Sequence, residues 1–420
     1  MLKELFKFFS SLKLTVACLS IGCVLVFWGT LAQVHLGLYK AQNEFFRSFL
    51  VYWPTDGGAP HIPVFPGGYL LGTVLLINLL AAHLRYYQPG KRKIGIILIH
   101  LGVVLMLVGQ FLTDFLSRES ALHLRIGETK NYSEADRAYE LAVIDTTDKQ
   151  SDKVVAIPCT LLSGHRTVSN PEMPFSVRAD TFYANSELME NQSAGFEPVK
   201  TTAGSGTDFW WRQLPRETAM DRVDLPSAAV DIVTPQGSLG SFLVSAMLGQ
   251  PQQFTFNNRT YQMLLRPERF YMPFSLTLLQ FHHDRYPGTD IPKNFSSRVR
   301  LRNLDTGEDR EVRIYMNNPL RYAGETFYQA SYDPDDGGSI LQVVHNPGWL
   351  TPYFACVLVA AGLLWQFLSH LVPFLKRRTT AAASASSPAR AGNAAAPAAG
   401  SRPRDPARRR DSGAPAKART

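Results

Sequence analysis

Four long apolar segments interrupt an otherwise polar chain, and three of them lie near its beginning. They cover residues 14–34, 68–84, 94–116 and 349–372. Each is close to the ~20 residues that an α-helix needs to cross the hydrocarbon core of a bilayer. A long polar block, residues 117–348, separates the third segment from the fourth. The pattern therefore predicts a membrane protein with four transmembrane helices, arranged three plus one, that carries one large domain between spans three and four.

Basic residues predict which side of the membrane each part occupies. Three basic clusters flank the predicted spans: Lys3, Lys7 and Lys13; Arg85, Lys91, Arg92 and Lys93; and Lys376, Arg377 and Arg378. Lysine and arginine are enriched in cytoplasmic flanks, so residues 1–13 and 373–420 are predicted to be cytoplasmic. The loop 36–66 and the block 117–348 then lie on the periplasmic or outer face of a bacterial inner membrane.

The polar block has the pattern of a β-rich domain. Short runs of β-branched and aromatic residues, such as 228–234 and 340–345, are separated by Gly, Pro, Asn and Asp. Charged and apolar residues alternate over 298–302, which predicts a strand with one face in water. Antiparallel sheets, as a sandwich or as stacked sheets, are therefore favoured over βαβ units. The polar stretch 191–226 is predicted to be a long loop or a seam between two lobes.

Composition and charge agree with this layout. The chain has 420 residues, of which 45% are hydrophobic, and a formal net charge of +8. The excess of basic residues lies in the predicted cytoplasmic flanks and in the tail. The positive net charge is therefore explained by membrane topology, and we expect no nucleic-acid partner. The tail, residues 373–420, is rich in Ala, Pro, Ser and Arg beyond residue 378 and is predicted to be disordered.

The cysteines and the local motifs exclude several kinds of site. Cys18, Cys23 and Cys356 lie in apolar segments, and Cys159 is the one cysteine of the block 117–348. The sequence contains no CxxC pair, so it predicts neither a thiol–disulfide oxidoreductase nor a thiolate zinc site. It also lacks a GxSxG, P-loop or HExxH motif, and we expect no catalysis by this chain alone.

Histidines in or near the predicted spans are the candidate ligands. His100 lies inside span three, where an ionisable side chain marks a functional candidate because burying it without a partner is costly. A neutral imidazole can bind heme iron axially, and for His100 heme ligation and an interhelical hydrogen bond remain alternatives. His83, at the end of span two, is expected to reach the interface. His35 and His61, on the outer side, are weaker candidates together with His83.

Several short segments follow one another along the chain. Their order, combined with the layout of the spans, is specific enough to indicate a family. They are Ser-Leu-Lys-Leu-Thr at 11–15, Gly-Thr-Leu-Ala-Gln at 29–33, His-Leu-Gly at 100–102, Pro-Lys-Asn-Phe-Ser-Ser at 292–297, Met-Asn-Asn-Pro-Leu-Arg-Tyr-Ala-Gly at 316–324, Phe-Tyr-Gln-Ala-Ser-Tyr at 327–332 and Asn-Pro-Gly at 346–348. With these segments the chain, from about residue 9 to residue 374, resembles the ResB family of system II cytochrome c biogenesis proteins. The family's aspartate before Pro-Gly is Asn346 in this chain.

The resemblance implies a cytochrome c assembly factor, the ResB-like half of a heme delivery and ligation complex. A ResC/CcsA-type membrane partner would complete a cytochrome c heme lyase (synthetase), and apocytochrome c would receive the heme. A thiol-reducing protein is a further possible partner. Heme would be a transient cofactor shared with the partner, with no metal beyond its iron. His100 matches the family's span-three histidine. The alternative is a membrane-anchored scaffold or sensor whose sheet domain binds a protein without heme chemistry.

Overall fold

The computed structural model describes residues 1–53, 62–86, 90, 93–148, 150–220, 222–289 and 292–385. Its helices are α1 (Leu2–Phe9), α2 (Leu12–Leu36), α3 (Leu38–Ala41), α4 (Gly68–Tyr86), α5 (Ile94–Leu116), α6 (Cys159–Leu162) and α7 (Thr351–Ala385), with a π-helical turn at Gln42–Phe46 and a short 3₁₀ helix at Gly204–Asp208. The chain divides into two units, Met1–Gln366 and Phe367–Thr420, and the described part of the second is helical.

Four of these helices are long and apolar enough to cross a membrane. They are α2, α4, α5 and the Thr351–Thr380 part of α7. The side chain of Ser11 accepts a hydrogen bond from the backbone N–H of Lys13 and so caps the start of α2. The four predicted apolar helices are therefore present, while their insertion into a membrane and its sidedness stay predictions. Helix α7 continues beyond the predicted span end at residue 372, and residues 386–420 lie outside the described part of the chain.

Glycines at seven-residue intervals pack α5 against α7. Gly95, Gly102 and Gly109 are the buried residues of α5, and seven residues correspond to about two helical turns, so they share one face. A Cβ added at Gly102 would lie 2.6 Å from Cγ2 of Val359, and one added at Gly95 would lie 2.8 Å from the carbonyl oxygen of Gly362. Small residues allow backbones to approach this closely in membrane helices. The opposite face of α5 is therefore turned away from α7.

The block between α5 and α7 is β-rich, as predicted, and every strand pairing that the structure describes is antiparallel. Between α2 and α4, β1 (Leu50–Trp53) pairs with β2 (Ile62–Pro66). The block contains β3 (Arg118–Arg125), β4 (Thr129–Asp145), β5 (Lys153–Pro158), β6 (Thr167–Ser169), β7 (Ser176–Tyr183), β8 (Ser186–Met189), β9 (Glu197–Pro198), β10 (Trp210–Gln213), β11 (Ser227–Thr234), β12 (Gly237–Ser245), β13 (Gln252–Phe256), β14 (Arg259–Arg285), β15 (Pro292–Asn303), β16 (Glu308–Tyr315), β17 (Leu320–Tyr322), β18 (Glu325–Tyr332) and β19 (Gly338–His345).

One large sheet and two smaller ones build this domain around two main hydrophobic cores. The large sheet has the order β16-β15-β14-β4-β3-β19-β18-β17, with β13 paired to β14 and β5 paired to β4. The sheet β12-β11-β7-β6 packs over one core with β4, β5, β13 and β14, and the second core lies among β3, β14, β15 and β19. The long strand β14 supplies residues to both cores, so it joins the two halves of the domain.

The predicted seam, residues 191–226, contains more regular structure than a loop. Its strands β9 and β10 form a three-stranded sheet with β8, which precedes the seam, and β10 is the central strand. Trp211 is buried there and packs with Val199, Ala229 and Leu243. The packing of this indole stabilises short strands that the polar composition did not predict.

Candidate functional site: a cavity with two histidines

A cavity of about 580 Å³ lies between α2, α4 and α5, at the end of these helices where α4 finishes and α5 begins. Most of its walls are aliphatic and come from all three helices. The polar side chains that line it are Thr15, Asn78, His83, Tyr86, Lys93 and His100. Small-molecule sites commonly combine ~300–1,000 Å³ of mostly apolar space with a few placed polar groups. The cavity therefore has the size and lining of a ligand site.

His83 and His100 meet in this cavity, although they come from different helices. Their ring centroids lie 4.7 Å apart, with the ring planes at 83° to each other. Nδ1 of His83 lies 3.3 Å from the carbonyl oxygen of Leu79, one turn earlier on α4. If Nδ1 donates its proton to that carbonyl, Nε2 keeps the lone pair that a metal or a proton donor needs. The structure thus places His83 beside the main candidate, in the cavity wall.

The imidazole of His100 has an unsatisfied nitrogen. Its Nδ1 is buried and has no hydrogen-bond partner among the described residues. Leaving a buried polar atom without a hydrogen-bond partner destabilises the folded protein by about 1–3 kcal/mol. The unpartnered nitrogen of His100 therefore indicates a group whose missing partner is a bound ligand. His100 lies on the face of α5 opposite the glycines, because position 100 is separated from position 102 by about 200° of helical rotation.

Asn78, which the sequence analysis did not single out, fixes one wall of the cavity. It lies within α4 and is 3% exposed. Its Nδ2 donates to the carbonyl oxygens of Phe9 at 2.6 Å and Ser11 at 3.0 Å, and its Oδ1 accepts from Oγ1 of Thr15 at 2.6 Å. These bonds satisfy backbone groups where α1 ends and α2 begins. An amide inside an apolar span was the sequence signal that could have identified this residue.

The other two histidine candidates lie apart from this pair. His35 is exposed in the last turn of α2, whereas the cavity is lined by residues 12–19 at the beginning of that helix. His61 lies outside the described residues. The structure therefore brings together His100 and His83 and leaves His35 at the opposite end of α2.

A second cavity, of about 640 Å³, lies along α4 and α5 toward their other ends. Leu107 lines both cavities. Nε of Arg47 lies 3.0 Å from Asp114, and the hydroxyl of Tyr69 donates to the same carboxylate. There is no histidine among the described residues that line this cavity, so it offers an ion pair and a phenol but no imidazole ligand.

The β domain contains polar groups in structural roles. Nδ1 of His283 lies 3.0 Å from Asp336, while Nε2 of the neighbouring His282 lies 3.1 Å from Asp284. Among the described residues, no group of three or more His, Cys, Asp or Glu side chains could hold a metal ion.

Burial, and then the charge of Glu140, raises the pKa of the Cys159 thiol to about 12. That thiol stays protonated at neutral pH, and it is a poor nucleophile in this state.

Comparisons with known proteins extend this picture. A model of the ResB-like family matches residues 90–340. Protein NrfI of Wolinella succinogenes is 27% identical over 320 residues, which cover 71% of this chain and 30% of NrfI. The cytochrome c biogenesis protein CcsB of Crocosphaera subtropica is 30% identical over 129 residues, which cover 31% of this chain and 28% of that protein. The chain therefore matches less than a third of the length of each of these two relatives.

Proposed function

Because the chain belongs to the ResB-like family, whose model matches residues 90–340, we propose that it acts in cytochrome c biogenesis by system II, as the ResB-like half of a heme delivery and ligation complex. The name of the CcsB relative supports the pathway. The observation that carries the heme role is the meeting of His83 and His100 inside an apolar cavity. Heme is the substrate in this proposal, held transiently and passed on to apocytochrome c.

The residues that line the cavity fit this substrate. Aliphatic walls from three helices stabilise a flat apolar macrocycle by removing its surface from water. Heme iron accepts an imidazole nitrogen as an axial ligand. Nδ1 of His100 is a buried nitrogen without a hydrogen-bond partner among the described residues, and the carbonyl of Leu79 can orient the ring of His83.

Each residue then has a separate task. His100 holds the substrate, and His83 stands beside it as a second imidazole. Asn78 and Thr15 keep the beginning of α2 against α4 through their hydrogen bonds. The aliphatic walls exclude water and so lower the dielectric constant around both imidazoles. The glycine face of α5, packed on α7, holds His100 toward α4.

The surroundings of the chain are part of the proposal. We place the protein in a bacterial inner membrane, with the β domain on the periplasmic or outer face. A ResC/CcsA-type membrane protein completes the heme lyase, since this chain is not expected to catalyse ligation alone. The β domain docks that partner or apocytochrome c.

Substitution of His100 tests the heme role directly. In the full chain purified together with its partner, His100→Ala and His100→Gln should both abolish the heme absorbance spectrum and stop cytochrome c assembly. Added imidazole should partly restore both in the Ala variant, because it supplies the missing nitrogen. His35→Ala removes a histidine at the far end of α2 and serves as the matched control, with the spectrum unchanged.

The Gln variant separates the two roles of His100. Gln keeps the capacity for hydrogen bonding but does not replace an imidazole as an iron ligand. A His100→Gln protein with full heme content and normal cytochrome c assembly would therefore assign His100 to an interhelical hydrogen bond. The membrane-anchored scaffold without heme chemistry would then be the better description of the protein.

A further inference from the structure

The two-histidine cavity has one charged end and one aliphatic end. Tyr86 is the last residue of α4 and Lys93 the residue before α5, and both line the cavity at this end of the two helices. Leu75 and Leu107 line the opposite end. Lys93 is the one lysine, arginine or acidic residue among the described lining residues. The end formed by Tyr86 and Lys93 is called the mouth below.

The histidine that we assign to the iron lies midway between these ends. His100 follows Lys93 by seven residues and precedes Leu107 by seven. At about 1.5 Å per residue, each interval spans roughly 10 Å and about two turns, so the three positions lie along one face of the helix. A cation, an imidazole and an aliphatic side chain therefore follow one another along the cavity wall.

Building on the function proposed above, we propose that Lys93 binds the propionate carboxylates of the porphyrin and so determines the orientation in which it enters. A porphyrin of the heme type carries its two carboxylates on one edge and apolar substituents on the opposite edge. The carboxylates lie at the mouth, the iron lies beside His100, and the apolar edge lies toward Leu107. Lys93 is a specificity-determining residue that selects an amphiphilic, dianionic macrocycle over a fully apolar one.

Neighbouring groups support an anion at the mouth. Lys93 is the N-cap residue of α5, and helix N-termini favour negative charge. The guanidinium of Arg85 lies 5.2 Å from the ring centroid of Tyr86 and donates to Oγ of Ser10 at 2.8 Å. Arg85 therefore lies beside Tyr86 near the mouth, and the phenol of Tyr86 can donate a second hydrogen bond to a carboxylate.

An anionic lipid headgroup could reach the same lysine, because basic residues at the cytoplasmic surface attract such lipids. The two sources of negative charge differ in one respect. Esterification of both propionates removes the charge of the porphyrin and leaves every lipid unchanged. Heme and heme dimethyl ester are therefore the probes that distinguish them.

The experiment is a titration of the purified full-length chain in detergent with ferric heme and with its dimethyl ester, followed by absorbance. The wild type should bind the ester about tenfold more weakly than heme, as loss of one charge-assisted hydrogen bond implies. Lys93→Gln should bind heme about tenfold more weakly than the wild type and bind the ester as the wild type does. Lys93→Arg should retain most of the affinity for heme.

Lys13→Gln is the matched control. It removes the same charge from the beginning of α2, and Lys13 is exposed and is not among the described residues that line the cavity. Its affinity for both porphyrins should equal that of the wild type. A tenfold loss in this variant would show that general surface charge governs binding, and would overturn the role assigned to Lys93.

Other outcomes separate this inference from the function on which it rests. Equal affinity of the wild type for heme and ester, with His100→Ala still abolishing binding, would overturn the role of Lys93 and leave the heme site intact. If Lys93→Gln lost the same affinity for heme and for the ester, the lysine would act through lipid contact or folding. This result would also overturn the proposed role of Lys93. No binding of either porphyrin by the wild type would overturn the heme site itself.

Discussion

One methyl group added at Gly102 should force α5 and α7 apart. A Cβ at this position would lie 2.6 Å from Cγ2 of Val359 and 2.8 Å from the carbonyl oxygen of Ala355. Carbon atoms in contact normally lie ~3.5–4.0 Å apart, so the helices would have to separate by roughly 1 Å. A change of rotamer cannot relieve the contact with a backbone oxygen. Overpacking of this kind costs about 1–3 kcal/mol.

Two other glycines provide matched controls for Gly102→Ala. A Cβ added at Gly22 in α2 or at Gly72 in α4 meets no heavy atom of the described residues within 4 Å. All three substitutions gain the same helix propensity, about 1 kcal/mol in favour of Ala. The difference in stability between Gly102→Ala and the controls therefore isolates the overpacking at the contact with α7.

The stability of the purified variants can be compared by raising the SDS fraction in mixed micelles and following the helical circular dichroism signal. Gly102→Ala should lose its helical signal at a lower SDS fraction than Gly22→Ala and Gly72→Ala. Its affinity for heme should fall as well, because the displaced helix carries His100. Denaturation of all three variants at the same SDS fraction would refute the close contact of α5 with α7.

Three further predictions concern the rest of the chain. Reporter fusions after Ser120 and after Arg378 should indicate the outer and the cytoplasmic side, respectively, as the basic flanks require; a cytoplasmic signal at the first site would contradict the topology. Cys159 should react with thiol reagents at neutral pH only after denaturation, since burial raises its pKa to about 12, and Cys159→Ala should leave cytochrome c maturation intact; rapid labelling of the native protein would disprove this. Arg266→Ala should destabilise the β domain in urea denaturation by about 3–5 kcal/mol, because Glu140, 2.9 Å from Arg266 and 6% exposed, would keep a buried charge without its partner. Replacing both residues with Leu or Met should recover most of the loss, and a single variant as stable as the wild type would contradict the reasoning.

The helices could be located from the sequence because their cause is local. The predicted span 94–116 coincides with α5, and the predicted spans 14–34 and 68–84 fall within α2 and α4. A run of ~20 apolar residues has few alternatives to a helix in a bilayer. The fourth helix extends further than predicted, to Ala385, because apolarity ends near residue 375 while Ala, Lys and Arg continue to favour helix.

The β domain could be recognised but not assembled from the sequence. The predicted strands 228–234 and 340–345 correspond to β11 and β19, since β-branched and aromatic runs between turn residues are a local signal. The pairing of β19 with β3, which begins at Arg118 just after α5, is not local. It depends on which apolar faces can be buried together once the whole chain has folded.

The functional site, too, was only partly predictable from the sequence. His100 was identifiable because one ionisable residue in an apolar run is costly and therefore rare. Its meeting with His83, and the bonds by which Asn78 joins α4 to the beginning of α2, required the tertiary structure. The sequence determined which helices form and which of their residues are polar. Packing alone decided which faces meet, because the glycine face of α5 lies against α7 and turns the imidazole of His100 toward α4.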